Sequence, residues 1–287
     1  MQSIKNPLIS VIMSCYNSNI NYLTESINSI LNQTYQNFEF IIADNGLDFN
    51  LKSFLESFKD DRIRYIKNNP IMHPALSYDY LAYIAEGNYV AIQDHDDIAL
   101  PYRLEYEKQA LDAFPDIQSV SGGIHIFGIK KERNDCVAIT PERLKQELIF
   151  WQPIKQPTWM KRKSFCDKYK YNSNWMIYDY EFWSRTRNIS HFIFNEPLLK
   201  YRKSQLNSSK ERSQNIRKEH ALIVQRNLNE LEINAPIELC QMLDPYNHNK
   251  NNYKFVQIFI NNKDKLLKHI SEDLYNKELK EIELKSI

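Results

Sequence analysis

Apolar and polar positions along the first third of the chain alternate in blocks. Leu8-Ile9-Ser10-Val11-Ile12-Met13 is a short apolar run that ends in polar Ser14 to Asn17. Such a run predicts a buried strand feeding a loop. Leu23, Ile27, Ile30 and Leu31 then recur at helical spacing after candidate caps at Asn17 to Asn19. Phe38 to Ala43 predicts a second strand, closed by the turn signal Asp44-Asn45-Gly46. A helix around 51–58, a strand at 63–66, a helix at 76–85 and a strand at 89–93 continue the series. Strand–helix alternation of this kind implies an α/β fold with a mostly parallel sheet flanked by helices. Three of the strands end in polar loops, at Ser14 to Asn17, Asp44 to Gly46 and Asp94 to Asp97. Open sheets bind ligands at the carboxyl ends of their strands, so these loops are the candidate site.

The second half is less regular. Val120 to Gly128 reads as a strand pair or one strand with a glycine bulge, Pro141 to Phe150 as a helix, and Phe192 to Tyr201 as two short strands around Pro197. After Ser208 the composition shifts towards Lys, Glu, Asn, Arg and Leu, with amphipathic helices expected at 216–231 and 263–284. A boundary near residue 209 therefore separates an α/β domain, 1–209, from a helical C-terminal extension, 210–287. The α/β domain divides further into a regular half, 1–104, and a less regular half, 105–209.

Charge narrows the range of partners. The chain carries 37 basic and 36 acidic residues, a net charge of +1, so no global field draws it to nucleic acid. Cys15, Cys136, Cys166 and Cys240 lack metal-ligand spacing, and the N-terminus has no signal-peptide pattern. The simplest expectation is a cytoplasmic protein with reduced thiols. Lys263 to Leu284 mixes lysines with Glu272, Asp273, Glu278, Glu281 and Glu283, unlike a strongly basic membrane-surface helix. A weak peripheral contact through Lys263, Lys265 and Lys268 stays open, as does pairing of chains through the C-terminal helices.

The sharpest constellation is Asp94-His95-Asp96-Asp97, directly after the apolar strand 89–92. Adjacent carboxylates repel, and a buried group needs a cation or strong donors to stay ionised. Oxygen ligands favour Mg²⁺ or Mn²⁺. An acidic loop in which Asp97 caps the next helix fits the spacing equally well.

Three blocks in order resemble the family 2 glycosyltransferases, which have the GT-A fold. They are Ile9 to Asn17; Ser29 to Tyr35 with Phe38 to Gly46; and Ala85 to Val90 with Asp94 to Asp97 and Pro101 to Leu104. The resemblance spans residues 7–205 and implies that 1–209 is a catalytic domain, with a nucleotide-sugar half at 1–104 and an acceptor half at 105–209. It implies that Ser14, Cys15, Tyr16 and Asn17 hold the donor nucleotide, largely through backbone, and that Asp44 accepts a hydrogen bond from the base, as suits uracil. It also implies that Asp94 meets the ribose or the metal, and that Asp96 ligates Mn²⁺ or Mg²⁺. Tyr178 to Arg185 resembles the family's base-bearing helix start, which makes Asp179 the general base, with Glu181 as the fallback. The same resemblance implies an inverting transfer from a nucleotide-sugar donor, UDP-linked, to a glycan or lipid-linked glycan acceptor in bacterial surface-glycan synthesis. Lipopolysaccharide and capsule are the candidate products.

The chain departs from that pattern at three places. Tyr78-Asp79 stand where an Arg-Asn pair is common, Tyr178 where a Glu often precedes the base, and Ser204 where a His often follows Tyr-Arg. These departures keep alternatives in view: a non-catalytic nucleotide-sugar-binding relative, or a nucleotidyltransferase-like protein of the same sheet. The chain has no glycine-rich phosphate loop, which counts against the latter and against a dinucleotide-binding dehydrogenase. Trp159 and Trp175 are candidate sugar-stacking rings, with the core as the more common place for either. Lys161-Arg162-Lys163 reads as a solvated charge run.

Overall fold

The computed structural model describes residues 9–203, 210–243 and 259–286. Ser204, one of the three departures, lies outside the described residues. The chain forms two compact units that interleave along the sequence. Unit 1 comprises 1–138, 154–173 and 189–204; unit 2 comprises 139–153, 174–188 and 205–287. The tail expected to begin near residue 209 falls wholly in unit 2, but so do two stretches that the sequence reading assigned to the acceptor half.

Unit 1 holds the whole sheet. Its strands are β1 (Ile9–Cys15), β2 (Phe38–Asp44), β3 (Ile63–Lys67), β4 (Tyr89–Ile92), β5 (Ile98–Ala99), β6 (Ser119–Phe127), β7 (Arg133–Asp135), β8 (Met160–Arg162) and β9 (His191–Arg202). They lie in the order β3-β2-β1-β4-β8-β6-β9-β5, with β7 against β6. The first four strands run parallel, and every residue of β1, β2 and β4 is buried. Burial on both faces is why these strands read as continuous apolar runs rather than alternating ones.

Helices α1 (Ile20–Leu31), α2 (Leu51–Glu56), α3 (Pro74–Ile84) and α4 (Arg103–Ala113) belong to this unit. Asn19 caps α1, its side chain accepting from the amides of Asn21 and Tyr22. Leu23, Ile27 and Ile30 from α1 join Val11, Met13, Phe40 and Leu104 in the main core. Gly87 approaches β1 so closely that a Cβ there would lie 2.6 Å from the Ser10 nitrogen.

The region 120–128 is one strand, β6, with register shifts against β9 around Gly123. β9 likewise runs unbroken through Pro197, where two strands were expected. An irregular pairing at Gly123↔Pro197 accommodates the residue that cannot donate to the ladder.

The run Lys161-Arg162-Lys163 is not solvated as a whole. β8 lies between β4 and β6, which puts Lys161 in the sheet interior. Its amine donates to the Tyr171 hydroxyl at 3.0 Å and sits 3.9 Å from the Trp159 ring centre. Burial depresses its pKa to about 7, against a smaller opposing pull from Cys166 and Asp79. An unfolded lysine titrates near 10.4. Between pH 7 and 10 the unfolded chain therefore binds the proton that the folded chain has lost, and stability rises with pH. In urea titrations this group should contribute a slope of up to about 1.4 kcal/mol per pH unit. Lys161→Met should remove it, and an unchanged pH profile would refute the assignment.

Unit 2 is helical. It contains α5 (Pro141–Glu147), α7 (Tyr178–Arg185), α8 (Lys210–Glu230), α9 (Ile237–Met242) and the helices Lys263–Leu266 and Glu272–Ser286, while α6 (Lys163–Lys168) belongs to unit 1. The single helix expected over 263–284 is thus two. A separate core joins Ile149, Phe150 and Tyr180 to tail residues such as Ile223, Val224, Leu228, Leu239 and Tyr275. Among the described residues no helix is long and apolar enough to cross a membrane.

Candidate active site

The parallel register brings three strand ends together. Cys15 pairs with Asp44, Asp44 with Lys67, and Ile12 with Ile92, so Ser14, Asp44 and Asp94 emerge along one edge. The Asn45 amide donates to the Cys15 carbonyl and the Gln93 amide to that of Ile12, which extends the alignment into the loops.

The first loop offers mainly backbone. The Cys15 side chain is buried, and burial together with the nearby Asp44 charge pushes its thiol pKa far up, so it remains a thiol. Tyr16 is exposed, and Asn17 takes a left-handed φ of 47° that turns the chain. The Ser14 hydroxyl shares a hydrogen bond of 2.8 Å with that of Ser77 in α3.

Asp44 forms the turn that the sequence suggested. One carboxylate oxygen accepts from the amides of Gly46 and Leu47, both at 3.1 Å, and the other from the Lys67 amine at 2.5 Å. Gly46 takes φ +106°, which a side chain would resist. Burial alone would raise the pKa of Asp44, but Lys67 and the two amides outweigh it and hold the group below the usual carboxylate range. Asn45 and Asn68 complete a buried network: Asn68 donates to Asn45 at 3.3 Å and to the Ser77 hydroxyl at 2.9 Å.

The acidic loop is pinned from beneath by Gln93 and Arg103, which the sequence reading did not single out, and from β9 by Arg202. The Gln93 side-chain amide donates to the carbonyls of Asp94 and Asp97 and to the Ser26 hydroxyl. Arg103, fully buried, donates to the Gln93 side-chain oxygen and to the Ile92 carbonyl. It also pairs with Glu107, whose pKa burial lifts to about 7. Arg202 holds the loop from β9: its side chain donates to the Asp96 carbonyl and to Glu25, and its backbone amide donates to Asp97. Asp97 therefore ties loop to strand. It does not cap α4, whose preceding residue Tyr102 makes no side-chain cap bond.

Asp94 accepts a 2.9 Å hydrogen bond from the hydroxyl of Tyr78, the residue that departs from the family's Arg. Burial and the neighbouring Asp96 raise the pKa of Asp94. The other member of that pair, Asp79, accepts from the Tyr171 amide at 2.9 Å. The carboxylates of Asp94 and Asp96 are hard-oxygen donors of the kind that suits a divalent cation. Among the described residues no group of three or more His, Cys, Asp or Glu gathers to hold a metal. A cation held here by Asp94 and Asp96 would have to draw the rest of its shell from phosphate and water.

Asp179 lies in unit 2, in the first turn of α7. Gln152 donates to its carboxylate at 3.0 Å. Burial raises its pKa, opposed by hydrogen bonds from the Tyr180 amide, Gln152 and its own amide. Glu181, the fallback base, is consumed by ion pairs with Arg185 at 3.0 Å and Arg226 at 2.9 Å. Trp159 is a core residue of unit 1, and Trp175 packs against the core of unit 2.

Comparison with known proteins agrees with this architecture. The pattern of Glycosyl transferase family 2 matches residues 10–190. An uncharacterized glycosyltransferase of Methanocaldococcus jannaschii is 35% identical over 207 residues, covering 68% of this chain and 71% of its own. The O-antigen biosynthesis glycosyltransferase WbnJ of Escherichia coli is 31% identical over 205 residues, covering 68% of this chain and 79% of its own. Among solved structures, S. aureus TarS 1–349 superposes with a TM-score of 0.60 at 15% identity, over 96% of this chain and 88% of that one. The mannosyltransferase PcManGT of Pyrobaculum calidifontis, solved with GDP-Man and Mn²⁺, gives 0.57 at 14% identity, over 92% and 75%. These two likenesses concern the fold, which is GT-A. A family pattern spanning most of the chain, with relatives of this identity and coverage, places the protein in glycosyltransferase family 2.

Proposed function

We propose that this glycosyltransferase is metal-dependent and inverting, and that it moves a sugar from a UDP-linked donor to a hydroxyl of a glycan or lipid-linked glycan in bacterial surface-glycan synthesis. The observation that carries the reading is the meeting of Asp44, Asp94 and the Ser14 to Asn17 loop at one sheet edge. Asp94 and Asp96 would hold the cation. When bound, it supplies positive charge against the departing diphosphate. The exposed Tyr16 ring and the backbone of Ser14 to Asn17 would bind the nucleotide, and Asp44 would receive the base beside its Lys67 contact. Asp179, its carboxylate oriented by Gln152, would take the acceptor hydroxyl proton as the acceptor oxygen bonds to the anomeric carbon and the bond to the diphosphate oxygen breaks. Desolvation suits this task, because it makes a carboxylate a stronger base.

A screen of nucleotide sugars by thermal shift, with Mn²⁺ present, tests the donor assignment. A ligand at about 100 times its dissociation constant adds about 2.7 kcal/mol of stability, a shift of roughly 5 °C for a protein of this size. UDP-linked sugars should give that shift, and EDTA should cancel it. A chain that responds to no UDP-linked sugar, or responds equally without metal, would overturn the proposal.

A further inference from the structure

Among the described residues all nine strands lie in unit 1, and the described part of the tail adds none to the sheet. Its first helix, α8, instead follows α7 step by step within unit 2. The Glu219 carboxylate accepts from the amides of Met176 at 2.7 Å and Ile177 at 3.1 Å. His220 stacks on Tyr180 with ring centres 5.0 Å apart. Arg226 pairs with Glu181, Ser184 donates to Asn227 at 2.9 Å, and Arg187 pairs with Glu230 at 2.6 Å. Residues 176–187 thus meet 219–230 in the same order, and the two helices run parallel. Asn227 also donates to the carbonyls of Leu148 and Ile149, in the segment that leads to Gln152.

Helix α7 begins with the Asp179 carboxylate accepting from its own amide and that of Tyr180. Its N-terminal flanking residue is Ile177, which has no side-chain acceptor and makes no cap bond. The first amides of a helix need partners from elsewhere, and a carboxylate suits that end of the dipole. Glu219 supplies one at the entry to the helix, where it accepts from the amides of Ile177 and Met176, two and three residues before Asp179. Fixing those two amides fixes the backbone from which Asp179 projects.

We infer that Glu219 is a positioning residue for Asp179, so that the tail helix sets the geometry of the base. The inference rests on the assignment of Asp179 proposed above. A displaced catalytic group is costly: about 1 Å of misplacement can lower turnover ~100-fold.

The full chain carrying Glu219→Ala, Glu219→Asp or Glu219→Gln is compared with the parent and with Asp179→Asn. UDP with Mn²⁺ is the binding probe, and UDP released from the sugar nucleotide that binds in the screen is the turnover probe. Glu219→Ala should lower kcat ~10- to 100-fold while UDP affinity and donor KM stay within about twofold. Amide exchange at Met176 and Ile177 should accelerate. Glu219→Gln keeps an acceptor oxygen and should recover most of kcat. Glu219→Asp keeps the charge but is one methylene short; it should fall between them, and it serves if the alanine variant does not fold. Parental kcat in Glu219→Ala or Glu219→Asp, with Asp179→Asn inactive, overturns the inference. So does a Glu219→Gln variant as impaired as alanine. Full turnover in Asp179→Asn would instead remove the base assignment, and the inference would fall for that separate reason.

Discussion

Replacing Asp179 with asparagine should leave UDP binding intact and lower transfer by ~10²–10⁴-fold, the usual contribution of a general base. Asparagine preserves the shape of the side chain and can still meet Gln152, but it cannot take the proton. The variant should therefore fold normally and separate chemistry from binding. Burial raises the pKa of Asp179 above the ordinary carboxylate range. A base works in its deprotonated form, so the parent's kcat should rise with pH through that elevated value and then level off. The variant's residual rate should lack this limb. Near-normal transfer by a folded Asp179→Asn chain would move the base elsewhere, and Glu181 is poorly placed to inherit the role because Arg185 and Arg226 hold it as a buried ion pair.

Asp96→Ala should abolish the metal-stimulated part of UDP binding and lower turnover by more than ~100-fold. Loss of an outer-shell partner of a metal ligand already costs about 10- to 100-fold, and loss of the ligand itself should exceed that. The backbone of Asp96 would keep its contact with Arg202, which reaches the carbonyl rather than the side chain, so the loop should hold its place. Calorimetry with UDP, in Mn²⁺ and in EDTA, reads the effect directly. The parent should differ between the two conditions and the variant should not. Equal Mn²⁺ stimulation in both proteins would dismiss Asp96 as a ligand.

The parallel half of the sheet was readable from the sequence because β1, β2 and β4 are buried on both faces and hence predominantly apolar. The polar residues that interrupt those runs at their ends marked the loops. β5 and β8 gave no such signal, since strands of two and three residues have no period to detect. Lys161 was misread for a related reason. Local composition suggests solvent for Lys-Arg-Lys, but pairing with Val90 and Ser119 from distant parts of the chain places the lysine inside the sheet. At the site, the acidic cluster was legible and the way its supports hold it was not. Gln93, Arg103 and Arg202 are single polar residues whose importance comes from tertiary proximity to the loop. Asp44 shows the converse: the turn chemistry of Asp-Asn-Gly was legible locally, whereas the Lys67 contact depended on strand register.

Interleaving of the two units has a consequence for synthesis. A chain emerging from the ribosome completes the last strand of the sheet at Arg202, so unit 1 has every segment it needs before the tail appears. Unit 2 does not. Its stretches 139–153 and 174–188 are made early and must wait for α8 to cover Ile149, Phe150 and Tyr180. Nascent or prematurely terminated chains should thus expose apolar surface around α7, the condition that recruits chaperones and favours aggregation. Such chains would have the sheet of unit 1 already formed while the helix bearing Asp179 stayed unsupported until translation had passed Glu230.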